Sequence, residues 1–165
     1  MESMQKLYLE ELRDVYDAEK QLEKALPKMA KNATNDRLRT AFEEHLTTTK
    51  EQVRRLETIF DNLGESPSGK TCKGMKGLIE EGEEIMKQEG DPDVKDAAMI
   101  SSAQRVEHYE IAAYGSLRTY ADELGLKDHA ELLQRTLDEE GKTDKRLTQL
   151  AESRVNKDAT VGRTR

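Results

Sequence analysis

Apolar side chains recur every three or four residues along four long segments of the chain, which is the spacing that places them on one face of an α-helix. Near its middle, each apolar stripe also carries acidic or histidine side chains. On residues 8–29 and 38–63 these are Glu19 and His45. On residues 100–124 and 126–151 they form two pairs, Glu107 with Glu110 and Glu140 with Asp144. The pattern predicts a helical bundle with polar side chains inside its core.

Turn residues and capping signals between the stripes predict where the helices begin and end. An aspartate followed by a proline, as in Asp91-Pro92, is typical of a helix start, and Asp128 with Glu131 resembles a capping box that opens a helix. Glycines at 64 and 125 fit the left-handed conformation that ends helices. The expected helices cover about residues 3–31, 35–63, 75–89, 91–124 and 128–155.

The lengths of the connections predict how the helices pack. The first two long helices are joined by a short loop, and so are the last two, so each pair should form an antiparallel hairpin. The connection over residues 64–91 is long and contains the short extra helix, so it can cross the length of the bundle. One long crossover is typical of the ferritin-like topology. We therefore predict an all-α, ferritin-like four-helix bundle whose crossover contains a short helix.

Composition agrees with a helical fold and indicates a single domain. Of the 165 residues, 37% are charged and 4% are aromatic, and Trp is absent, which favours long solvated helices over sheets. The length suits one domain with a core of ordinary size. We expect the bundle to occupy residues 1–155 and residues 156–165 to form a flexible C-terminal tail.

The formal net charge of −7 disfavours a nucleic-acid-binding protein, because such proteins gain much of their affinity by neutralising phosphates. The C-terminal stretch is the exception, with Arg154, Lys157, Arg163 and Arg165 against Asp158. A basic tail can contact DNA, so DNA protection is a third functional hypothesis, ranked behind a simple solvated terminus.

The sequence also predicts a cellular location. Cys72 is the single cysteine, so no internal disulfide can form and nothing indicates an oxidising compartment. The first twenty residues are charged throughout and lack the apolar core of a signal peptide, and no stretch approaches the ~18 apolar residues of a membrane span. We expect a cytoplasmic protein with no membrane partner.

The polar side chains within the stripes predict a metal site, with the candidate ligands Glu19, His45, Glu107, Glu110, Glu140 and Asp144. In an antiparallel bundle these mid-helix positions arrive at similar depth, and the paired residues share one helix face. No Lys or Arg lies on the stripes, whereas a carboxylate removed from water costs several kcal/mol unless it meets a cation or several donors. Oxygen-rich ligation with one imidazole suits iron or manganese, and such paired motifs are typical of dinuclear carboxylate bundles.

A second interpretation is open for these residues, since an acid-rich chain places some glutamates on a seam by chance. Glu110 and Asp144 can lie at the stripe edge and reach water, and His45 can be hydrogen-bonded within the core. We expect His108 to face outward and His129 to be solvated at the start of the fourth helix.

Neighbouring polar residues can support the site. Thr49, Gln52 and Gln104 lie one helical turn away and are expected to orient the ligands by hydrogen bonds. Tyr16 and Tyr114 lie within possible reach of a metal pair, although a tyrosine hydroxyl bonded to a carboxylate is the commoner arrangement.

Several stretches resemble a known family, namely residues 17–22, 25–30, 77–81, 106–112 and 137–140. They resemble the YciF/YciE-like bacterial stress proteins, also called DUF892, and the match covers nearly the whole chain. Those proteins are ferritin-like bundles that form homodimers and are linked to stress responses, without a settled enzymatic activity. The resemblance implies this fold, a homodimer, and a polar cluster made of the six candidate ligands.

One position departs from the family pattern. Family members commonly carry a glutamate three residues after the histidine of the second helix, whereas this chain has Thr48, between Thr47 and Thr49. The missing carboxylate would weaken one of two metal positions or leave it more open to solvent or substrate.

The leading hypothesis is a ferritin-like stress-response protein that binds a di-iron or di-manganese carboxylate site in the bundle core and can react with oxygen or peroxide. The alternative is a non-catalytic helical stress or assembly protein whose polar core is vestigial and which acts through protein–protein contacts. Whether the protein is an enzyme is left open by the sequence. Its metal content separates the two hypotheses.

Overall fold

The four apolar stripes fold as long helices, seen in a computed structural model that describes residues 2–161. Within these residues there is no β-strand. The helices are α1 (Met4–Asn32), α2 (Asp36–Leu63), α3 (Lys73–Lys87), α4 (Pro92–Glu123), α5 (Lys127–Leu150) and α6 (Asn156–Val161). One π-helical turn, Ala151–Val155, joins α5 to α6. The predicted all-α class and the boundaries of the long helices are confirmed to within a few residues.

Side chains at the helix starts satisfy backbone N–H groups that have no partner within the helix. Asn35 accepts hydrogen bonds from the backbone of α2, and Asp91 accepts them from the backbone of α4, which has Pro92 in its first turn. Cys72 has the same role for α3, where its Sγ accepts from the N–H of Met75 at 3.3 Å. These caps fix the entry of each helix into the bundle.

The topology is that of a ferritin-like four-helix bundle, as predicted. Helices α1 and α2 form one antiparallel hairpin, and α4 and α5 form the other. The long connection between the hairpins contains α3, which packs against α1 and α4. The seam between α1 and α4 is therefore covered by an additional helix.

The core consists of two apolar clusters at different depths of the bundle. One cluster includes Leu12, Leu56 and Leu117 and lies toward the end where α1 begins. The other includes Leu26 and Phe42 and lies toward the end where α1 finishes. The buried polar residues lie between these clusters in sequence on all four long helices. A polar layer thus crosses the middle of the bundle.

Two expectations for the start of the fourth long helix are wrong. Helix α5 has no side-chain cap, so Asp128 and Glu131 form no capping box. The reason is Gly125, whose φ of +74° allows a tight reversal in which the N–H of Leu126 donates to the C=O of Ala121. Because of this tight turn, α5 begins before Asp128. His129 is buried rather than solvated, and its Nδ1 lies 3.2 Å from the hydroxyl of Tyr8.

The C-terminal end differs from the expected course. The helix predicted to reach Val155 changes to a π-helical turn after Leu150, and Asn156–Val161 is helical where a flexible tail was expected. The flexibility of that tail and the domain boundary stay predictions, and residues 162–165 lie outside the described part of the chain. Among the described helices, none combines the length and apolar character that crossing a bilayer requires.

Candidate metal centre

Four of the six candidate ligands converge in the polar layer. His45 on α2, Glu107 and Glu110 on α4, and Glu140 on α5 each offer a ligand atom, and these atoms lie within 4.8 Å of one another. All four side chains are buried. The convergence follows from the mid-helix position of each residue and from the antiparallel packing of the two hairpins.

Glu19 on α1 lies beside this group and is fully buried. It accepts a hydrogen bond from the hydroxyl of Tyr114, and its carboxyl group lies near that of Glu110. Glu19 thus adds a fourth carboxylate to the polar layer, contributed by the one long helix that the converging group does not include.

Asp144 does not join the converging group. It is partly exposed at the edge of the α4–α5 seam, where it accepts a hydrogen bond from Gln104 at 3.0 Å and lies 3.3 Å from Nε2 of His108. His108 is on the outward side, as expected, with 69% of its side chain exposed. Asp144 lies one helical turn from Glu140 but outside the converging group. Metal ligation by Asp144 therefore stays a prediction.

The polar layer contains many buried atoms without hydrogen-bond partners. Six oxygens of the ionised glutamates have no hydrogen-bond partner among the described residues. They are both oxygens of Glu107, both oxygens of Glu110, and Oε2 of Glu19 and of Glu140. Nε2 of His45, Oγ1 of Thr49 and Oε1 of Gln52 are unpartnered as well. Buried polar atoms are normally bonded, so the layer needs protons or cations between its oxygens.

Protonation is the response of these groups when no cation is present. Burial is the largest cause that raises the pKa of Glu19, Glu107 and Glu110 well above the usual value, and the negative charges of neighbouring carboxylates are the next. Burial also raises the pKa of Glu140, to about 7. The acids of this layer are therefore mutually repulsive once ionised.

His45 is a neutral side chain rather than a counter-ion to the acids. Burial lowers its pKa to about 4, so the imidazole is uncharged near neutral pH. Its Nδ1 lies 3.3 Å from Oε1 of Glu107, and its Nε2 lies 3.9 Å from Oε2 of Glu140. A neutral imidazole with a free nitrogen lone pair is the form that binds metal ions.

The hydrogen bonds around the layer agree in part with the sequence analysis. Gln52 donates to Oε1 of Glu140, as expected of a ligand-orienting residue. Gln104 donates to Asp144 instead of to a converging ligand, and the hydroxyl of Thr49 is unpartnered among the described residues. Tyr16 donates to the exposed Glu57 at 3.1 Å, away from the centre.

One supporting residue was missed by the sequence analysis. Arg55 donates two hydrogen bonds to Glu139, at 2.6 and 2.7 Å, and a third to Thr136 at 3.1 Å. Its charge lowers the pKa of Glu140, which the charge of Glu139 raises. Arg55 lies three residues after Gln52 on the same helix face, and that spacing is the signal that could have found it.

The donor set fits a hard or borderline divalent metal. Three carboxylates and one imidazole converge, and a fourth carboxylate is adjacent. Cys72, the only cysteine among the described residues, lies outside the layer and is hydrogen-bonded to Tyr109. Oxygen ligands with one imidazole suit iron and manganese, whereas structural zinc sites usually contain Cys or more His.

The comparisons with known proteins agree with this fold. The family described as domain of unknown function DUF892 matches residues 3–160. The chain belongs to the DUF892 family. Protein YciF of Escherichia coli (strain K12) is 42% identical to it over 160 residues, which is 96% of this chain and 96% of YciF. The resemblance inferred from the sequence is confirmed.

Several solved structures have the same architecture as this chain. The crystal structure of the E. coli stress protein YciF matches with a TM-score of 0.91 over 95% of this chain and 99% of that chain, at 42% identity. YcfI of Rhodopseudomonas palustris, described provisionally as a structural protein, matches with a TM-score of 0.87 over 90% and 94%, at 44% identity. A protein of Xanthomonas campestris pv. campestris at 20% identity and a TM-score of 0.73 supports the fold alone.

Proposed function

We propose that this DUF892 chain binds a dinuclear iron or manganese centre in its polar layer and uses it to react with oxygen or peroxide as part of a stress response. The observation that carries the proposal is the set of buried carboxylate and imidazole atoms that converge without partners among the described residues. The similarity to a protein named as a stress protein supports the biological setting.

Charge balance favours two ions rather than one. Glu19, Glu107, Glu110 and Glu140 carry four negative charges when ionised, and two divalent ions would balance them with His45 neutral. Arg55, whose positive charge acts on Glu140, is already engaged with Glu139. A single divalent ion would leave two negative charges uncompensated in the dry interior, which is costly.

The residues of the polar layer would have two roles at this centre: some would bind the metal ions and others would orient the ligands. His45, Glu107, Glu110 and Glu140, whose ligand atoms converge, would hold the metal pair together with the adjacent Glu19. When bound, such a metal pair supplies electrons to a small oxidant. Tyr114 and Gln52 fix the orientation of Glu19 and Glu140, and the apolar clusters on both sides exclude water.

Loading the protein with Fe²⁺ under anaerobic conditions and then adding oxygen or hydrogen peroxide tests the reactivity. The proposal predicts consumption of oxidant in stoichiometric proportion to bound iron, at a rate well above that of free Fe²⁺ in the same buffer. The matched control is Glu43→Gln, which changes an exposed glutamate on α2 and should behave like the wild type. Oxidant consumption no faster than that of free Fe²⁺ would contradict the reaction but not metal binding.

A second candidate function is a non-catalytic structural or assembly role. Two observations favour it: the provisional description of YcfI as a structural protein, and the hydrogen bonds from Tyr114 and Gln52, which partly satisfy the acids without metal. In this account the remaining carboxyl groups share protons, and a fold that is indifferent to added metal is the expected result.

The setting of the protein is part of the proposal. We propose a homodimer, supported by the resemblance to the YciF/YciE-like proteins, and light scattering of the purified chain gives its mass directly. We also propose a cytoplasmic location, supported by the single cysteine, which is buried and unpaired. The basic tail as a DNA contact is the least supported hypothesis, since Arg154 is engaged with Asp158.

A further inference from the structure

The seams between neighbouring long helices are closed to different degrees. The α1–α2 and α4–α5 seams are the interfaces of the two hairpins, and α3 packs over the seam between α1 and α4. Among the described residues, no helix covers the remaining seam, between α2 and α5. Any short route from solvent to the polar layer therefore runs along that seam.

A cavity lies in the α2–α5 seam and reaches the metal centre. It has a volume of about 110 Å³ and is lined on the α2 side by Glu44, His45 and Thr48, and on the α5 side by Thr143 and Arg146. Two larger cavities, of about 390 Å³ at Asp36 and about 270 Å³ at Tyr8, are lined by none of the converging ligands. The seam cavity thus joins His45 to the surface.

The size of the cavity limits what can use it. Sites for organic ligands of drug size usually measure about 300–1,000 Å³, whereas a single water occupies about 30 Å³ of liquid. At about 110 Å³ the cavity accommodates a partly hydrated metal ion or a few small molecules. The hydroxyls of Thr48 and Thr143 offer oxygen contacts to such an ion on its way to Nε2 of His45, which is buried and unpartnered among the described residues.

An ion pair stands at the mouth of the cavity. Arg146 on α5 donates to Glu44 on α2, with 49% and 56% of their side chains exposed. Exposed pairs of this kind are weak and screened by salt, so this one can open readily. Arg146 also lines the larger outer cleft with Asp36 and Arg37, which places it between the two spaces.

We propose that the α2–α5 cavity is the port through which a divalent metal ion reaches the buried ligands, with the Glu44–Arg146 pair as its gate and Thr48 as the residue that keeps it open. This inference rests on the proposed metal-binding function. The positive charge of Arg146 slows the entry of a cation, and Glu44 attracts it once the pair separates.

Stopped-flow uptake of Co²⁺, which colours on binding, tests the port in the full chain. Thr48→Phe should fill the cavity and slow uptake by about tenfold or more, because entry would then require opening of the helices, while the final amount bound stays that of the wild type. The control is Thr47→Phe. Thr47 is the preceding residue on α2, its hydroxyl makes the same 3.3 Å bond to the backbone four residues earlier, and its side chain is exposed.

A second pair of variants acts in the opposite direction. Arg146→Gln should accelerate uptake about threefold at low salt, because Glu44 is then free to attract the ion, and added salt should diminish the gain. Arg135→Gln, at an exposed arginine on the same helix, should not accelerate uptake. Wild-type uptake rates in both Thr48→Phe and Arg146→Gln, with normal amounts bound, would overturn the port and leave metal binding intact. Absence of Co²⁺ binding by the wild type would overturn both.

Discussion

The Nδ1 atom of His45 on α2 lies 3.3 Å from Oε1 of Glu107 on α4, but the two atoms do not form a hydrogen bond. The contact joins the two hairpins of the bundle at the level of the polar layer. Because the pKa of His45 is lowered to about 4, the imidazole carries no charge near neutral pH and cannot neutralise the carboxylate. An ion bound by both side chains would convert a poor contact between the hairpins into a strong one.

Replacing Glu107 by Gln should stabilise the metal-free protein. The change removes a buried acid whose pKa is raised by burial and by the charge of Glu140, so one source of repulsion is lost at similar volume. We expect the free energy of unfolding at pH 7.5 to rise by roughly 1–4 kcal/mol. Urea denaturation in the presence of a chelator measures it, with the exposed Glu43→Gln as control. A Glu107→Gln protein less stable than that control would mean that the carboxylate is satisfied without metal.

The stability of the metal-free protein should fall as the pH rises from about 6.5 to 8. The folded-state pKa of Glu140 is about 7, against about 4.3 in the unfolded chain, so the loss of stability from this group ends near pH 7. The pKa values of Glu19, Glu107 and Glu110 are raised well above the usual value, first by burial and then by neighbouring carboxylates. These groups keep protons in the native state that the unfolded state has lost, and they extend the loss to higher pH. Stability from such a group is present below its unfolded pKa and disappears above its folded pKa. His45 acts in the opposite sense, but only between about 4 and its unfolded value of about 6.5.

Thermal unfolding in matched buffers of constant ionic strength measures this dependence. The expected loss over that range is roughly 1–2 kcal/mol, with one proton released per group on unfolding. Protein loaded with Mn²⁺ is the control, since bound metal replaces the protons and its affinity rises with pH. If the stability of the metal-free protein increased steadily up to pH 8, the raised pKa values of the buried glutamates would be contradicted.

Replacing Tyr114 by Phe should weaken metal binding without abolishing it. The hydroxyl donates to Glu19, and its loss removes a bond that favours the ionised, metal-binding form of that carboxyl group. Removing a partner of this kind typically costs about 10–100-fold in metal affinity. Competition with a coloured chelator gives the ratio, and Tyr16→Phe, which removes a bond to the exposed Glu57, should leave affinity unchanged. Equal affinities for both variants would exclude Glu19 from the site.

Asp96 on α4 should be important for stability although it lies outside the polar layer. Its buried carboxylate accepts hydrogen bonds from the backbone N–H groups of Thr34 and Asn35, at 3.0 and 2.6 Å, and so ties the α1–α2 turn to the second hairpin. Asp96→Ala leaves both donors unbonded and should cost about 2–4 kcal/mol. Denaturant unfolding measures it. The exposed Asp128→Ala, where no cap bond exists, should change stability by less than about 0.5 kcal/mol.

The sequence predicted the fold well because the signal is repeated along each helix. Stripes of apolar residues over about six to seven turns fix which face is buried, and one long connection among short ones selects the topology. The same repetition revealed Glu19, His45, Glu107, Glu110 and Glu140, since each interrupts an otherwise apolar face and all are buried.

Features that depend on a single distant contact could not be read from the sequence. His129 is buried because Tyr8, more than a hundred residues earlier, reaches its ring, and nothing local to residue 129 indicates this. Asp144 follows Glu140 at helical spacing, but the α4–α5 packing directs it to Gln104 and His108 at the seam edge. The port-lining role inferred for Thr48 likewise depends on α5 residues that lie opposite it.

The measurement that tests the central claim most directly is the number of metal ions bound per chain after metal-free protein is equilibrated with Fe²⁺ under anaerobic conditions, or with Mn²⁺, and freed of excess metal. Elemental analysis should find about two ions per wild-type chain and almost none in Glu107→Ala, with both proteins folded. Folded wild-type protein that retains no stoichiometric iron or manganese, and whose unfolding is unchanged by either ion, would contradict the account.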